Sequence, residues 1–161
     1  MSNFYGRFLA SPLGMLRIAA NDRAVVRIDF PTATTKGTSH GASANSVLDE
    51  ATAQLEAYFA GRLTRFDLPL EPKGTAFQLA VWHALTGIAF GEVRSYAAIA
   101  AAIARPNAAR AVGRANATNP IPIVIPCHRV IGADGSLTGY AGGLDVKRRL
   151  LERERAIAEA A

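Results

Sequence analysis

The chain has 161 residues, of which 50% are apolar and 19% charged, and its 18 basic and 13 acidic side chains give a net charge of +5. That is enough apolar material for a packed core in one domain or two small ones. A single cysteine excludes an internal disulfide, and three scattered histidines, His40, His83 and His128, form no cluster at zinc-ligand spacing. The start, MSNFYGRFLASPLG, lacks the basic segment and long apolar stretch of a signal peptide, and no run of about eighteen apolar residues is present, so the expected setting is cytoplasmic and away from membranes.

Tyr5 to Ala20 and Ala24 to Phe30 are short mixed runs divided by Pro12, Gly14 and Asn21-Asp22, the pattern of two or three strands. Pro31 to Ser46, rich in Thr, Ser, Gly and Ala, reads as a loop before a helix from about Val47 to Ala60 that Gly61 stops. Leu63 to Leu70 has strand-like alternation, and Glu71-Pro72-Lys73-Gly74 is the expected boundary between two halves, 1–73 and 74–161. The first half carries eight basic and seven acidic residues, the second ten and six, so a polyanion would meet the second.

Thr75 and Gln78 form a capping-box pair ahead of Phe77, Val81, Trp82 and Leu85, a helix whose aromatic residues belong to the core. His83 on the same helix is assigned no function. Ser95 can cap a helix from Tyr96 to about Ala104, and the Arg105-Pro106 break ends it. Asn107 can cap a second helix from Ala108 to about Ala117. Two short helices joined by a tight turn describe a helix-turn-helix. On the second, Arg110 and Arg114 are one turn apart, interleaved with Ala108, Ala111, Gly113 and Ala115. Small residues allow close approach to DNA but give little with which to read bases.

Residues 121–130 read IPIVIPCHRV and place Cys127 between a proline and a histidine at the end of an apolar run with the look of a buried strand. The thiolate is the nucleophilic form, and a neighbouring imidazole is one way to produce it. Adjacent side chains on a strand diverge, so the pairing of Cys127 with His128 relies on Pro126 to break the strand. The plain alternative is a small buried cysteine beside a surface histidine.

Four motifs decide between these. FGEVRSY ending at Tyr96, NAARAVGRANATNP from Asn107 to Pro120, the IPCHRV core, and TGYAGGLDVKRRLL from Thr138 to Leu151 resemble, in order and spacing, the O6-alkylguanine-DNA alkyltransferase family. These repair proteins move an alkyl group from guanine O6 onto their own cysteine. The first seventy residues resemble the family less specifically, through SPLG at Ser11 to Gly14 and AYFAG at Tyr58 to Gly61. The zinc site and regulatory domain that some relatives carry are not expected here.

The resemblance implies a ribonuclease H-like α/β N-terminal domain and a mainly helical, winged-helix-like C-terminal domain that binds double-stranded DNA in the minor groove as a monomer. It implies Cys127 as alkyl acceptor and His128 as its base, working through a bound water and oriented by Glu154. It places Tyr96 at the base pocket as a donor, and Asn119 as the tie between the recognition helix and the active-site strand. Arg110 would enter the base stack vacated by the flipped alkylguanine, with Ser95, Ala111, Arg114 and Ala115 at the DNA surface. Val130 would accept from the guanine amino group through its carbonyl. Tyr140 and Ala141 would line the alkyl pocket, where Ala141 replaces a serine of some relatives. No cofactor or metal is implied, because the lesion is its own alkyl donor, and O4-alkylthymine is a further expected substrate. Arg129 and Asp134 are expected to form a structural ion pair across the turn Gly132 to Gly135. A non-catalytic alkyltransferase-like protein, a helix-turn-helix regulator and a thiol hydrolase are the rival readings. The first lacks the cysteine, the second needs base-reading side chains or a dimerisation element, and the third would turn over repeatedly.

Overall fold

Gly14 takes φ +102° at the turn that joins the first two strands, and a Cβ there would also meet Pro31 at 2.9 Å. Glycine suits that position for both reasons. In a computed structural model, which describes residues 3–31 and 44–161, the chain divides into two compact units, Met1–Lys73 and Gly74–Ala161.

In the first unit β1 (Tyr5–Ser11), β2 (Gly14–Ala20) and β3 (Val25–Asp29) form an antiparallel meander in the order β1-β2-β3. Tyr5 is opposite Ala20, and Ile18 is opposite Ile28. Leu9, Leu16, Ile18, Val25 and Ile28 are buried. Helix α1 (Ser46–Phe59) contributes Leu48, Ala51, Leu55, Tyr58 and Phe59 to the same core. Each fully buried large apolar side chain of this kind stabilises by about 1.5–3 kcal/mol. Asn45 caps α1 by accepting from the Leu48 amide at 2.8 Å.

The strand expected over Leu63 to Leu70 is not formed. Only Leu70 pairs, in an isolated parallel bridge to Val25, because Pro69 and Pro72 flank it and proline cannot sustain a ladder. The loop expected from Pro31 to Ser46 lies mostly outside the described residues.

The second unit begins with α2 (Ala76–Leu85), where Thr75 and Gln78 make both reciprocal capping bonds. Trp82 is buried and donates its indole N–H to the Ala115 carbonyl at 2.8 Å. Its ring passes so close to Gly74 that a Cβ there would meet it at 2.6 Å. Next come β4 (Arg94–Ser95), α3 (Tyr96–Ala102) and α4 (Ala109–Ala117), then a 3-10 turn at Cys127–Arg129, β5 (Val130–Ile131) and α5 (Leu144–Ala160). β4 and β5 pair in parallel, Arg94 with Val130 and Ser95 with Ile131. That pairing sets the start of α3 beside the segment that follows the cysteine.

Ser95 caps α3, accepting from the Ala98 amide at 3.0 Å. The helix ends two residues earlier than its composition indicates, and Ala104 takes the left-handed conformation at φ 58°. The Arg105 amide closes the end onto the Ala100 carbonyl at 2.9 Å. Asn107 does not cap α4. The N-cap is Ala108, without a side-chain bond, and its own amide is used by the Arg105 carbonyl at 2.9 Å, which tightens the inter-helix turn past Asn107. Among the described residues no helix is long and apolar enough to cross a membrane.

Candidate active site

The apolar run before Cys127 is buried from Ile121 onward, but it is not a strand. Pro120, Pro122 and Pro126 each lack an N–H, so the segment cannot hold a ladder and folds into tight turns instead. The Val124 amide bonds to the Pro122 carbonyl at 2.9 Å around Ile123, whose φ is 74°. The Cys127 amide bonds to the Ile125 carbonyl at 2.7 Å around Pro126, whose φ and ψ are −80° and 64°. These are successive γ-turns of opposite hand. A β-branched residue at positive φ stores on the order of 1–3 kcal/mol and persists only where its surroundings over-determine it. Here Ile123 is fully buried, and two asparagines hold the turns.

Asn119 accepts from the Ile121 amide at 3.0 Å and donates to the Ile125 carbonyl at 2.8 Å, and Asn116, on α4, donates to the Cys127 carbonyl at 3.2 Å. Asn116 is absent from the residues expected from sequence. Its signal is positional, because it continues the Val112 and Ala115 face that α4 buries.

Cys127 and His128 lie in the 3-10 turn, where consecutive side chains are separated by about 120° rather than the 180° of a strand. Cys127 is 3% exposed and His128 is fully buried. His128 Nε2 is 2.6 Å from Glu154 Oε1 on α5. A carboxylate only accepts, so Nε2 carries the hydrogen and Nδ1 has the free lone pair of the neutral ring. Nδ1 is buried and has no hydrogen-bond partner among the described residues.

Arg129 completes the cluster and corrects one expectation. Its guanidinium grips Glu154 in fork geometry, Nε to Oε2 at 2.9 Å and one terminal nitrogen to Oε1 at 2.8 Å, and donates the other to the Ile88 carbonyl at 2.7 Å. Asp134 is not its partner. That carboxylate accepts from the Ser136 amide at 3.0 Å, in an exposed turn that the Gly132 amide also closes onto the Ser136 carbonyl at 2.8 Å. Arg129 is buried and turned inward toward α5, while Asp134 stays in solvent, so the two cannot meet.

The electrostatics follow from burial. Burial opposes ionisation of Glu154, but hydrogen bonds from His128 and Arg129, and the charge of Arg129, outweigh it and bring its pKa down to about 2. Burial also holds His128 below its ordinary value, against the raising effect of Glu154, so the imidazole is neutral. Burial pushes the Cys127 thiol up to about 11, opposed by the Asn119 side chain, the charge of Lys147 and backbone N–H groups. The resting pair is therefore thiol and neutral imidazole.

At the start of α3, Tyr96 donates to the Thr138 carbonyl at 3.0 Å and accepts from the Thr138 hydroxyl at 3.1 Å. Lys147 on α5 donates to the same Thr138 carbonyl at 2.8 Å and to the Val130 carbonyl at 2.6 Å. The Val130 carbonyl thus already accepts one hydrogen bond, with a second lone pair left for another donor. Tyr140 is buried and Ala141 exposed. Thr138 and Lys147 were not legible as site residues, since a threonine in a loop and a lysine in the run KRRLLERER look solvated. A groove of about 440 Å³ lies against β5 and α5 and touches Glu154, but neither Cys127, His128 nor Tyr96 lines it.

On α4, Arg110 and Arg114 are exposed and Ala111 is half-buried. Ala115 is a correction. It is 3% exposed, on the face that packs inward beside Val112, so its side chain does not belong to an outer surface. A Cβ on Gly113 would meet the Tyr96 ring at 3.8 Å, so this glycine faces the tyrosine. The outward small-residue stripe is accordingly narrower than the sequence indicates. Ser95 is half-buried, and its hydroxyl is engaged in the α3 cap.

Comparison with known proteins adds an independent line. Residues 4–72 match the family model described as 6-O-methylguanine DNA methyltransferase, ribonuclease-like domain, and residues 76–156 match that of the same family's DNA binding domain. The chain is 48% identical over 156 residues to a methylated-DNA–protein-cysteine methyltransferase of Methanosarcina barkeri, covering 93% of this chain and 96% of that one. It is similar to the crystal structure of Mycobacterium tuberculosis O6-methylguanine methyltransferase, at 45% identity and TM-score 0.84, covering 96% and 94% of the two chains. It is equally similar to Mycobacterium tuberculosis OGT in complex with DNA, at 46% identity and TM-score 0.85, covering 95% and 94%.

Proposed function

The chain belongs to the 6-O-methylguanine DNA methyltransferase family, and we propose that Cys127 is the cysteine to which it transfers the alkyl group. The protein repairs O6-methylguanine in DNA by methyl transfer to its own cysteine. Cys127 is the chain's only cysteine, and the observation that carries its reading as an activated acceptor is His128. Glu154 fixes the hydrogen of that ring on Nε2, so the buried Nδ1 is left as the base.

In the reaction the thiol proton passes to His128 Nδ1, directly or through one water. Sγ attacks the methyl carbon, the carbon–oxygen bond breaks, and its electron pair stays on O6. The base, which takes up negative charge, receives a hydrogen bond from the Tyr96 hydroxyl. His128 gives up the proton it took from the thiol, through water, to the leaving guanine, so one proton is lost by the thiol and one gained by guanine and no cofactor enters the balance. Displacement at an sp3 carbon forms no tetrahedral oxyanion, and the thioether product is stable to water. Each molecule then reacts once.

For Tyr96 to serve the base, its hydroxyl must exchange the Thr138 carbonyl for the incoming ring. The Val130 carbonyl would accept from the guanine amino group alongside Lys147, and Tyr140 and Ala141 would border the alkyl group. We place DNA binding and chemistry together in 74–161, with the chain bound as a monomer in the minor groove and Arg110 occupying the stack behind the flipped base. Ala111 and Arg114 supply close approach and phosphate attraction. The same geometry suits O4-alkylthymine, which offers an sp3 carbon on an exocyclic oxygen in the same way.

Intact-protein mass spectrometry after incubation with duplex DNA containing either lesion tests the reading. One methyl group per protein, on Cys127, is expected, and none in Cys127→Ser. Repeated turnover, or label on another residue, overturns it.

A further inference from the structure

Tyr96 and Thr138 are bonded to one another twice. The phenol has one hydrogen to give, and at 3.0 Å it goes to the Thr138 carbonyl, which can only accept. The Tyr96 oxygen is therefore the acceptor in the second contact, where the Thr138 hydroxyl donates to it at 3.1 Å. Lys147 completes the group from α5. Its ammonium donates to the same Thr138 carbonyl at 2.8 Å and to the Val130 carbonyl at 2.6 Å, and it lies 5.9 Å from the centroid of the Tyr96 ring. The lysine is fully buried, whereas Thr138 is exposed and Tyr96 half-buried. The backbone of Thr138 is thus held by α5, and its side chain is turned to the phenol.

The two bonds of this pair have different fates when a base arrives. If Tyr96 turns its hydrogen to the base, the Thr138 carbonyl keeps the Lys147 ammonium, so no carbonyl is left unpaired and the loop need not open. The Thr138 hydroxyl can stay on the phenol oxygen, which uses a lone pair for the threonine and its hydrogen for the base. A hydroxyl that accepts a hydrogen bond donates a stronger one, more so where water is excluded. We propose that Thr138 is a positioning residue for alkyl transfer, its hydroxyl aiming the Tyr96 hydroxyl at the base and strengthening that bond as the base takes up negative charge. This rests on the reading of Tyr96 as the donor to the base. In the free protein the exposed contact contributes little, because water can replace either partner. Its weight is felt once the base covers it, so the effect belongs to the reacting complex rather than to the fold.

Single-turnover methyl transfer from duplex DNA containing O6-methylguanine is measured at saturating DNA for the wild type, Thr138→Val, Thr138→Ser, Tyr96→Phe and the double variant Tyr96→Phe/Thr138→Val. Valine keeps the backbone carbonyl and the shape but loses the hydroxyl, and should slow the reaction by roughly threefold to tenfold. Serine restores the hydroxyl and should stay within about twofold of the wild type. In the Tyr96→Phe background, where the phenol oxygen is gone, Thr138→Val should cost nothing further. A Thr138→Val protein as fast as the wild type at saturation overturns the proposal, as does a Thr138→Ser protein as slow as the valine variant. Equal slowing by Thr138→Val with and without the phenol also overturns it, since the threonine would then act on the loop and not through Tyr96. Failure of the underlying reading has its own signature, a Tyr96→Phe protein as fast as the wild type, and the proposal falls with it.

Discussion

Glu154 and His128 are bonded at 2.6 Å with both side chains buried, and the second grip on that carboxylate comes from Arg129, the residue after the histidine. One carboxylate therefore sets the tautomer of the base and neutralises a buried guanidinium. Glu154→Gln keeps the shape and removes the charge. The loss of the correct tautomer should slow single-turnover repair by about 10²-fold or more. The unpaired guanidinium should also lower stability by about 3–5 kcal/mol. Repair rate and denaturant midpoint are the readouts, and a variant as fast as the wild type would detach Glu154 from the mechanism.

Acid stability follows from the same two groups. Both have folded pKa values below their ordinary values, 6.5 for His128 and 4.5 for Glu154. In each case the unfolded chain binds the proton first, so stability rises with pH. The His128 contribution is present above about 6.5 and is lost as pH falls below that value. The Glu154 contribution is present above 4.5 and is lost as pH falls toward about 2. Unfolding free energy measured against pH should therefore fall in two steps on the acid side. His128→Gln should flatten the first, and Glu154→Gln the second.

The parts of this fold that were legible in the sequence are those set locally. Thr75 with Gln78 and Ser95 with Ala98 make their caps within three residues, so the side chain that marks the helix start also makes the bond. The apolar run before Cys127 misled because strands and buried turns share its composition. The three prolines were the evidence against a ladder. Arg129 was paired with the nearest acid in sequence, Asp134, whereas its partner is 25 residues away on another element. Asn116 and Lys147 escaped for a related reason. Their surroundings come from α4 and α5 packing around the cysteine, and no local pattern distinguishes a buried lysine from a solvated one.

Alkylation should destabilise the protein. The thiol is 3% exposed, beside turns already held at a strained φ, and a methylene-sized addition to a packed site typically costs about 1–3 kcal/mol. Comparison of thermal midpoints before and after reaction with O6-methylguanine DNA should show a lower value for the methylated protein. Equal or higher midpoints would mean that the pocket already holds space for the alkyl group.

The last prediction separates base extrusion from chemistry. Arg110 and Arg114 are both exposed on α4, away from the buried thiol. Arg110→Ala should slow repair of O6-methylguanine in duplex DNA while leaving reaction with the free base O6-benzylguanine much less changed, because the duplex must be opened and the free base need not be. Loss of a cation also weakens binding to phosphate, so rates are compared at saturating DNA and fixed salt. Arg114→Ala is the control for charge, since it removes the same guanidinium one helical turn along. At saturation Arg110→Ala alone should remain slow. Equal loss in both variants would reduce Arg110 to a phosphate contact, and equal failure on the free base would place its effect at the pocket, where Gly113 already brings α4 against Tyr96.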